Sequence, residues 1–520
     1  MNNKLSNIIK NEFYNQNKKF IFLLIPIIIS SYLIKIYYFE SGIGLTFDSL
    51  GYFFYAVDIT ILGHLPENYT LANNFWSIIL SLFFTSFEFE NTIQYMDLQK
   101  NISIIISTLT IIPIYFLARK FFSSKYSIIA AIIFAFEPRL IQNSILGITE
   151  PLYILFGVLT LLFFLSSNKK IIYFSFLFAA LVTITRGEGQ ILFFIISIMF
   201  FIRFRKEKLV IPKYLIGLGI FLLILIPMME YQIETQGNDS TFGRAIITIA
   251  HHTQDENETE GESGAPFFMR GIENFTKFFV WDLIPLFILF VPIGIFYLFK
   301  KPDFKKITLI LAGIGMSIPA FYAYSIPLPD TRYLFMLYPI FCIISLFAIK
   351  KYSYYLKNEN IVLIIIIIGI IFSSIIFLET KTTNGFDKYE IYEIMKIIVQ
   401  EPKVMNSFYP EDNYLEPAIY PEKWNDFKNL ISNIRIEEEN IRNLILNPII
   451  IISTNENNSI EEFIKNNNKL THIITDQNEN RPKFLKDIFE NENKYEFLIK
   501  EFDSKDMGYN YHIKVFKIDK

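Results

Sequence analysis

Long apolar runs fill the first 380 residues and constrain the fold of this chain more than any other feature. A helix needs about 20 mostly apolar residues to cross the hydrocarbon layer of a bilayer. The runs therefore predict an α-helical polytopic membrane protein with about eleven transmembrane helices. Their predicted positions are 20–39, 101–119, 126–142, 149–166, 170–185, 190–204, 213–230, 278–299, 307–325, 332–349 and 360–378.

Lys and Arg residues orient these spans, because cytoplasmic loops carry an excess of both. Every second junction is basic, beginning with the residues before the first span. The basic residues are Lys4, Lys10, Lys18, Lys19; Arg119, Lys120, Lys125; Lys169, Lys170; Arg203, Arg205, Lys206, Lys208; Lys300, Lys301, Lys305, Lys306; Lys350, Lys351 and Lys357. The pattern predicts a multi-pass cell-membrane protein with a cytoplasmic N-terminus. An odd number of spans then places the C-terminal residues outside the cell.

The residues after the last span have the composition of a soluble domain. We predict a transmembrane domain at 1–379, with outer loops at 40–100 and 231–276, and an extracytoplasmic α/β domain at 380–520. Strand patterns at 404–408, 448–453, 470–475, 495–502 and 511–518 alternate with helical ones, and Gly508 marks a turn between the last two. Alternation of this kind favours a mainly parallel sheet.

Several classes of function are disfavoured by composition. A net charge of −3 gives no indication of a nucleic-acid partner. The single cysteine, Cys342, excludes a disulfide within the chain and a Cys-rich metal site. His251 and His252 open an acidic stretch, but adjacent histidines rarely chelate one ion without help. We therefore expect no cofactor and no divalent metal.

Acidic residues and single arginines collect at the predicted outer junctions, where topology does not require them. Asp48 lies about ten residues beyond the first span, at the start of a helical pattern. A carboxylate in this position can act as a general base, and it can equally cap the helix that it begins.

The remaining candidates lie at the outer ends of later spans. Arg186 and Glu188, flanked by glycines, either present a guanidinium to a phosphate or form an ion pair that closes a loop. Arg332, which follows Asp330, either binds phosphate or extends to the membrane interface. The other candidates are Glu137 and Arg139 at the end of the third span, and Glu150, which opens the fourth and is also suited to the positive end of a helix dipole.

Four stretches in this order resemble the GT-C glycosyltransferases, and within them the protein O-mannosyltransferase and aminoarabinose-transferase branch. The likeness covers about the first 350 residues. It is carried by Asp48-Ser49 with the aromatic run behind it, Pro138 through Ser144 to Thr149-Glu150, Thr185-Arg186-Gly187-Glu188-Gly189, and Arg332-Tyr333-Leu334 leading to Pro339.

The resemblance implies an inverting transfer of a sugar from a polyprenyl- or dolichyl-phosphate donor to a hydroxyl acceptor on protein, lipid or cell-wall glycan. Asp48 would be the base, and Arg139, Arg186 or Arg332 would lie near the phosphate, supported by Glu137, Glu150, Glu188 and Asp330. Membrane lipid is the expected surrounding.

Two departures from the family pattern bear on the acceptor and on the phosphate site. Ser49 stands where many relatives have a second acidic residue, and Arg-Gly-Glu replaces a frequent Arg-Pro-Glu. The oligosaccharyltransferase branch fits less well, because the tail lacks Trp-Trp-Asp and the second outer loop lacks Asp-x-Asp. Metal-independent chemistry is the resulting expectation.

A transporter or lipid flippase is the alternative. Transporters place polar residues near the middle of the bilayer, on broken helices related by inverted repeats. The sequence shows no such repeat and concentrates its charges at one face, which favours chemistry at a membrane surface.

Overall fold

A computed structural model describes residues 18–45, 47–66, 71, 73–237, 267–326, 330–355, 358–383, 388–400, 407–408, 421–436, 449–450, 471–478, 481 and 483–519. His251 and His252 lie outside these ranges. By contacts the chain divides into two compact units. Unit 1 comprises 1–39, 70–79 and 100–379, and unit 2 comprises 40–69, 80–99 and 380–520.

Helices dominate the described residues up to 400. Their bounds are α1 Lys18–Phe22, α2 Leu24–Tyr37, α3 Phe47–Leu62, α4 Phe75–Ser86, α5 Thr92–Leu109, α6 Ile111–Ala118, α7 Ser124–Ala135, α8 Pro138–Ser144, α9 Glu150–Phe164, α10 Tyr173–Thr185, α11 Gln190–Phe204, α12 Val210–Gln236, α13 Phe267–Asp282, α14 Val291–Phe299, α15 Phe304–Ser325, α16 Tyr338–Tyr355, α17 Glu359–Thr383 and α18 Lys388–Gln400. Short 3₁₀ turns at Gly187–Gly189 and Thr331–Leu337 lead into α11 and α16.

Helix covers most of ten of the eleven predicted spans, whereas the eighth, 278–299, is helical only at its two ends. In the described part of the chain, seven helices are long and apolar enough to cross a membrane, and four shorter apolar ones accompany them. In the span that ends in α16, 83% of the most apolar 18 residues are buried, whereas the corresponding shares in α12 and α17 are 17% and 22%. Long apolar helices that expose most of their surface are typical of chains embedded in lipid, and the protein is a membrane protein.

Two of the predicted spans are interrupted. The third divides between α7 and α8, where Pro138 occupies the first turn of α8 and Glu137 before it has extended backbone. The eighth divides between Asp282, the last residue of α13, and Val291, the first of α14, across a segment that contains Pro285. These breaks place charged residues beside helix ends, where backbone carbonyls lack helical partners.

The C-terminal part of unit 2 carries a five-stranded sheet, as the strand patterns predict. Its strands are β1 Ser407–Phe408, β2 Ile449–Ile450, β3 His472–Asp476, β4 Leu498–Asp503 and β5 Ile513–Ile518, in the order β2-β1-β3-β5-β4. β1 pairs in parallel with β2 and β3, but β5 is antiparallel to both β3 and β4. The expectation of a mainly parallel sheet is therefore wrong. β4 and β5 form a hairpin through the connection 504–512, in which Gly508 has a positive φ.

Two helices of unit 2 lie between these strands along the chain, one between β1 and β2 and one between β3 and β4. Helix α19 spans Trp424–Ile436 and helix α20 spans Lys483–Glu490, with a 3₁₀ turn at Glu492–Lys494. On α20, Asp487 accepts hydrogen bonds from Lys494, Tyr495 and Asn491. These bonds lower the pKa of the Asp487 carboxyl to about 2.

An aromatic cluster joins the beginning of unit 2 to its end. The rings of Tyr95 and Trp424 stack with their centroids 3.8 Å apart, and Phe53 on α3 lies 6.3 Å from Trp424 and 5.9 Å from Phe427. The amide of Trp424 donates to the Glu90 carbonyl at 2.8 Å. Phe53, Tyr95 and the aromatic residues of α19 therefore share one hydrophobic core.

Candidate functional site

Arg186 occupies the centre of an ion-pair cluster in unit 1. Its Nη1 lies 2.7 Å from Glu150 Oε1 and its Nη2 lies 3.2 Å from Glu188 Oε1. The Glu150 side chain is only 4% exposed and that of Arg186 14%, whereas that of Glu188 is 30% exposed. The guanidinium also lies over the Tyr153 ring, 5.7 Å from its centroid. Glu150 therefore fixes the arginine from the buried side, and Glu188 holds it from the solvent side.

The local sequence explains how Arg186 reaches this position. Helix α10 ends at Thr185, and Arg186 has extended backbone that turns its side chain away from the helix. A side chain at Gly189 would place its Cβ 2.6 Å from the backbone carbon of Val182. Only glycine permits the 3₁₀ turn to lie this close to α10. Glu150 is held by the first turn of α9, where Pro151 follows it.

Arg332 joins the same cleft from another element. Its Nε lies 2.6 Å from Asp330 Oδ2, and Asp330 also caps the 3₁₀ turn by accepting the Arg332 amide. The side chains of Arg332 and Asp330 are 32% and 34% exposed. The cleft is narrow, with a volume of about 10 Å³. Its lining comprises Glu150, Tyr153, Arg186, Glu188, Met316, Pro319, Arg332, Tyr333, Phe335 and Met336.

Arg139 lies in a separate, buried cluster. Its Nη2 donates to the Trp281 carbonyl at 2.8 Å, and its Nη1 donates to the carbonyl of Ile284. Asp282 and Glu137, both fully buried, lie 3.5 Å and 3.8 Å from its guanidinium nitrogens. The donors of Arg139 are thus directed at the break between α13 and α14, and Arg139 does not line the cleft that holds Arg186.

Asp48 belongs to unit 2, whereas the other seven predicted site residues belong to unit 1. It is the second residue of α3 and is exposed. The positions that follow it on α3 are largely buried, among them Phe53, Tyr55 and Asp58. Helix α3 thus presents Asp48 at its N-terminal turn while its aromatic residues pack inside unit 2.

Three residues of these clusters are absent from the sequence-based candidates. Tyr153 and Tyr333 line the cleft, and nothing in their apolar surroundings distinguishes them from core tyrosines. Asp282 carries a clearer signal, because it is a carboxylate within the predicted span 278–299, and ionisable residues inside spans are seldom without a role.

No group of three or more His, Cys, Asp or Glu side chains in the described ranges is placed to hold a metal ion. The charged groups that line the cleft are Arg186, Arg332, Glu150 and Glu188, and Asp330 pairs with Arg332 beside them. Chemically, such a cleft offers guanidinium donors to an anion and carboxylates that orient those donors.

Comparisons with known proteins find similarity to the kind of membrane protein that the sequence resembles. Residues 77–231 match the family described as dolichyl-phosphate-mannose-protein mannosyltransferase. No curated protein sequence matches the chain. Among solved structures, ArnT from Cupriavidus metallidurans bound to undecaprenyl phosphate is similar with a TM-score of 0.56 and 11% identity, over 96% of this chain and 97% of that one.

The oligosaccharyltransferase of Archaeoglobus fulgidus is similar in its apo form, with a TM-score of 0.55 and 14% identity over 88% of this chain and 70% of that one. The same organism's oligosaccharyltransferase AglB, in complex with an inhibitory peptide and a dolichol-phosphate, has a TM-score of 0.50 and 13% identity, over 87% and 69%. At these identities the likeness shows a shared fold. It confirms the fold class predicted from the sequence.

Proposed function

We propose that this chain, which has the fold of the GT-C glycosyltransferases, transfers a sugar from a polyprenyl- or dolichyl-phosphate donor to a hydroxyl acceptor on the extracytoplasmic face. The observation that carries the proposal is the convergence of Arg186 and Arg332 on one cleft at helix ends. The family match at 77–231 and the solved structures that bind undecaprenyl phosphate or dolichol-phosphate support the same class of donor.

The donor phosphate is assigned to Arg186 and Arg332. A phosphate that leaves a sugar gains charge, and guanidinium forks stabilise that charge in the transition state. Because the cleft is narrow, the phosphate must displace side chains to enter. Glu188 and Asp330 are about one-third exposed, so both can turn to solvent. Buried Glu150 stays and keeps Arg186 oriented.

Asp48 is assigned as the general base. In the proposed step the acceptor oxygen attacks the anomeric carbon while its proton passes to the Asp48 carboxylate. The bond between that carbon and the phosphate oxygen breaks, and the lipid phosphate leaves with its electron pair. Attack opposite the leaving group inverts the anomeric centre. The base must be accessible to the acceptor, and an exposed residue at a helix N-terminus meets that requirement.

The base is tested by sugar transfer in membranes that contain the Asp48→Asn variant. Because a positioned base contributes roughly 10²–10⁴-fold, turnover is expected to fall by about that factor while the affinity for polyprenyl phosphate is retained. The matched control is Asp426→Asn, because Asp426 is also an exposed carboxylate in the first turn of a helix of unit 2. Unchanged turnover in Asp48→Asn would remove the assigned base.

The phosphate site is tested by binding of polyprenyl phosphate to the purified protein. Arg186→Lys keeps the charge but loses the two-pronged geometry, and binding is expected to weaken by about tenfold or more. Glu188→Gln is expected to strengthen binding, because it removes the carboxylate that competes with the phosphate. Arg205→Lys, at an exposed arginine elsewhere in unit 1, is the control. Wild-type affinity in Arg186→Lys would contradict the assignment.

Metal-independent chemistry remains part of the proposal. Turnover that persists at full rate after treatment with a chelator is the expected result, and loss of turnover that Mn²⁺ or Mg²⁺ restores would contradict it.

A further inference from the structure

We propose that a second cavity in unit 1 binds the phosphate of an anionic lipid headgroup, independently of sugar transfer. The cavity has a volume of about 740 Å³. It lies at the ends of α14 and α16 and the start of α15. Arg332 and Lys350 lie eighteen positions apart in one apolar segment, on the order of 27 Å along a helix. The cavity and the cleft thus occupy opposite ends of the same span.

Positive charge dominates this cavity. Its lining includes five lysines and one acidic residue, Glu359. Glu359 is already engaged, because Lys125 lies 3.1 Å from its Oε2 and the Tyr126 hydroxyl donates to its Oε1 at 2.6 Å. In the part of the chain that the structure describes, none of the five lysines forms a salt bridge. They are Lys300, Lys301, Lys306, Lys350 and Lys351.

Backbone and aromatic contacts position these lysines without neutralising them. Lys306 Nζ donates to the Lys300 carbonyl at 2.9 Å and lies 5.2 Å from the centroid of the Phe347 ring. Lys351 Nζ lies 4.5 Å from the centroid of the Tyr355 ring. Contacts with carbonyls and rings leave the full charge of each ammonium group available to an anion.

The surroundings favour a lipid over a soluble phosphate. Tyr354 and Tyr355 are 82% and 69% exposed beside the cavity, and exposed tyrosines are enriched at the level of lipid headgroups. On α14, Phe296 and Phe299 are 68% and 57% exposed next to Lys300, where acyl chains would contact them. Basic pockets between transmembrane helices are suited to anionic headgroups. A headgroup with a phosphate fits both the charge and the apolar border.

A role in topology alone is the competing explanation, since cytoplasmic loops are basic in any case. The two explanations differ in geometry. Topology depends on the number of basic residues in a loop, whereas binding depends on those that face the cavity. Lys206 and Lys208 are exposed basic residues at another predicted cytoplasmic junction, outside the cavity. They provide a matched comparison.

The test measures binding to the purified full chain by native mass spectrometry. The probes are dioctanoyl phosphatidylglycerol, dioctanoyl phosphatidylcholine and inorganic pyrophosphate. The test variant carries Lys300→Gln, Lys350→Gln and Lys351→Gln, and the control variant carries Arg205→Gln, Lys206→Gln and Lys208→Gln. Each lysine near a headgroup contributes a factor of about five, so the test variant, which lacks three of them, is expected to bind phosphatidylglycerol about 100-fold more weakly.

The proposal requires that the wild type prefer phosphatidylglycerol to phosphatidylcholine and that the control variant keep this preference. Equal loss in both variants, or equal binding of the two lipids, would overturn it. Pyrophosphate that binds as tightly as phosphatidylglycerol would overturn the assignment to a lipid. Binding of polyprenyl phosphate at the cleft is expected to be the same in the test variant and the wild type, which separates this proposal from the proposed transferase site.

Discussion

The pair formed by Arg186 and Glu150 is expected to show strong energetic coupling. Glu150 is 4% exposed and Arg186 14%, and their charged atoms are 2.7 Å apart. Arg186→Gln leaves a buried carboxylate without its cation, which costs about 3 kcal/mol at the lower end of the range for buried pairs. Glu150→Gln lowers the free energy of unfolding by about 1 kcal/mol, because the new amide oxygen still accepts a hydrogen bond from Arg186 and Glu188 still pairs with Arg186.

The double variant decides whether the two effects are coupled. With both charges removed, neither residue is left as an uncompensated ion. We expect the free energy of unfolding of the double variant to be about 2 kcal/mol lower than that of the wild type. The coupling energy is then about 2 kcal/mol, within the range for residues in contact. The assay is denaturant unfolding of the full chain in detergent, with the free energy of unfolding determined for the wild type, both single variants and the double variant.

An exposed pair provides the matched cycle. Lys169 lies 2.5 Å from Glu207, but the Lys169 side chain is 69% exposed. Solvent screening removes most of the attraction in such pairs, so this cycle is expected to be additive. If the cycle at Arg186 and Glu150 is also additive within about 0.5 kcal/mol, the inference that burial makes this pair a rigid support is refuted.

Three further outcomes are expected. Gly189→Ala forces the 3₁₀ turn away from α10 and is expected to destabilise the protein by about 1–3 kcal/mol in unfolding measurements, whereas Gly219→Ala, which meets open space, is not. Trp76→Phe removes the bond that the fully buried Trp76 donates to the Gly147 carbonyl at 3.0 Å, at a cost of about 1–3 kcal/mol in the same assay. Hydrogen bonds from Lys494 and its neighbours lower the pKa of Asp487 to about 2. The stability that this carboxylate contributes is therefore complete above about pH 4 and is lost as the pH falls toward 2. Between about pH 4 and pH 2, the rate of proteolysis of the C-terminal residues is expected to depend less on pH in Asp487→Asn than in the wild type.

The sequence predicted helices and strands well because their signals are local. Apart from the run at 278–299, which is helical only at its ends, the apolar runs form helices, and each of the five strand patterns contains a strand. The expectation of a mainly parallel sheet was wrong, since the antiparallel pairing of β5 with β3 depends on contacts between distant segments. The role of Arg139 was not predictable for a related reason: its donors meet carbonyls of Trp281 and Ile284, which become available only because α13 ends there.

The candidate site was predictable in its parts. The glycines around Arg186 predict either a guanidinium presented to a phosphate or an ion pair that closes a loop. The structure contains the ion pair with Glu188 at 3.2 Å, and the phosphate contact stays a prediction. The convergence of Arg332 with Arg186 in one cleft depends on tertiary packing, which no spacing along the chain determines. The catalytic role of Asp48 and the phosphate-binding role of the arginines stay predictions that the proposed transfer and binding assays test.

The aromatic cluster of unit 2 has a consequence for biosynthesis. Phe53 and Tyr95 are synthesised about 330–370 residues before Trp424, which they contact. At a translation rate of roughly 5–20 residues per second, the early segment waits on the order of tens of seconds for its packing partner. During this interval its apolar face needs cover from lipid or a chaperone. A nascent chain truncated before residue 424 is therefore expected to be a quality-control substrate, even with all of its membrane helices inserted.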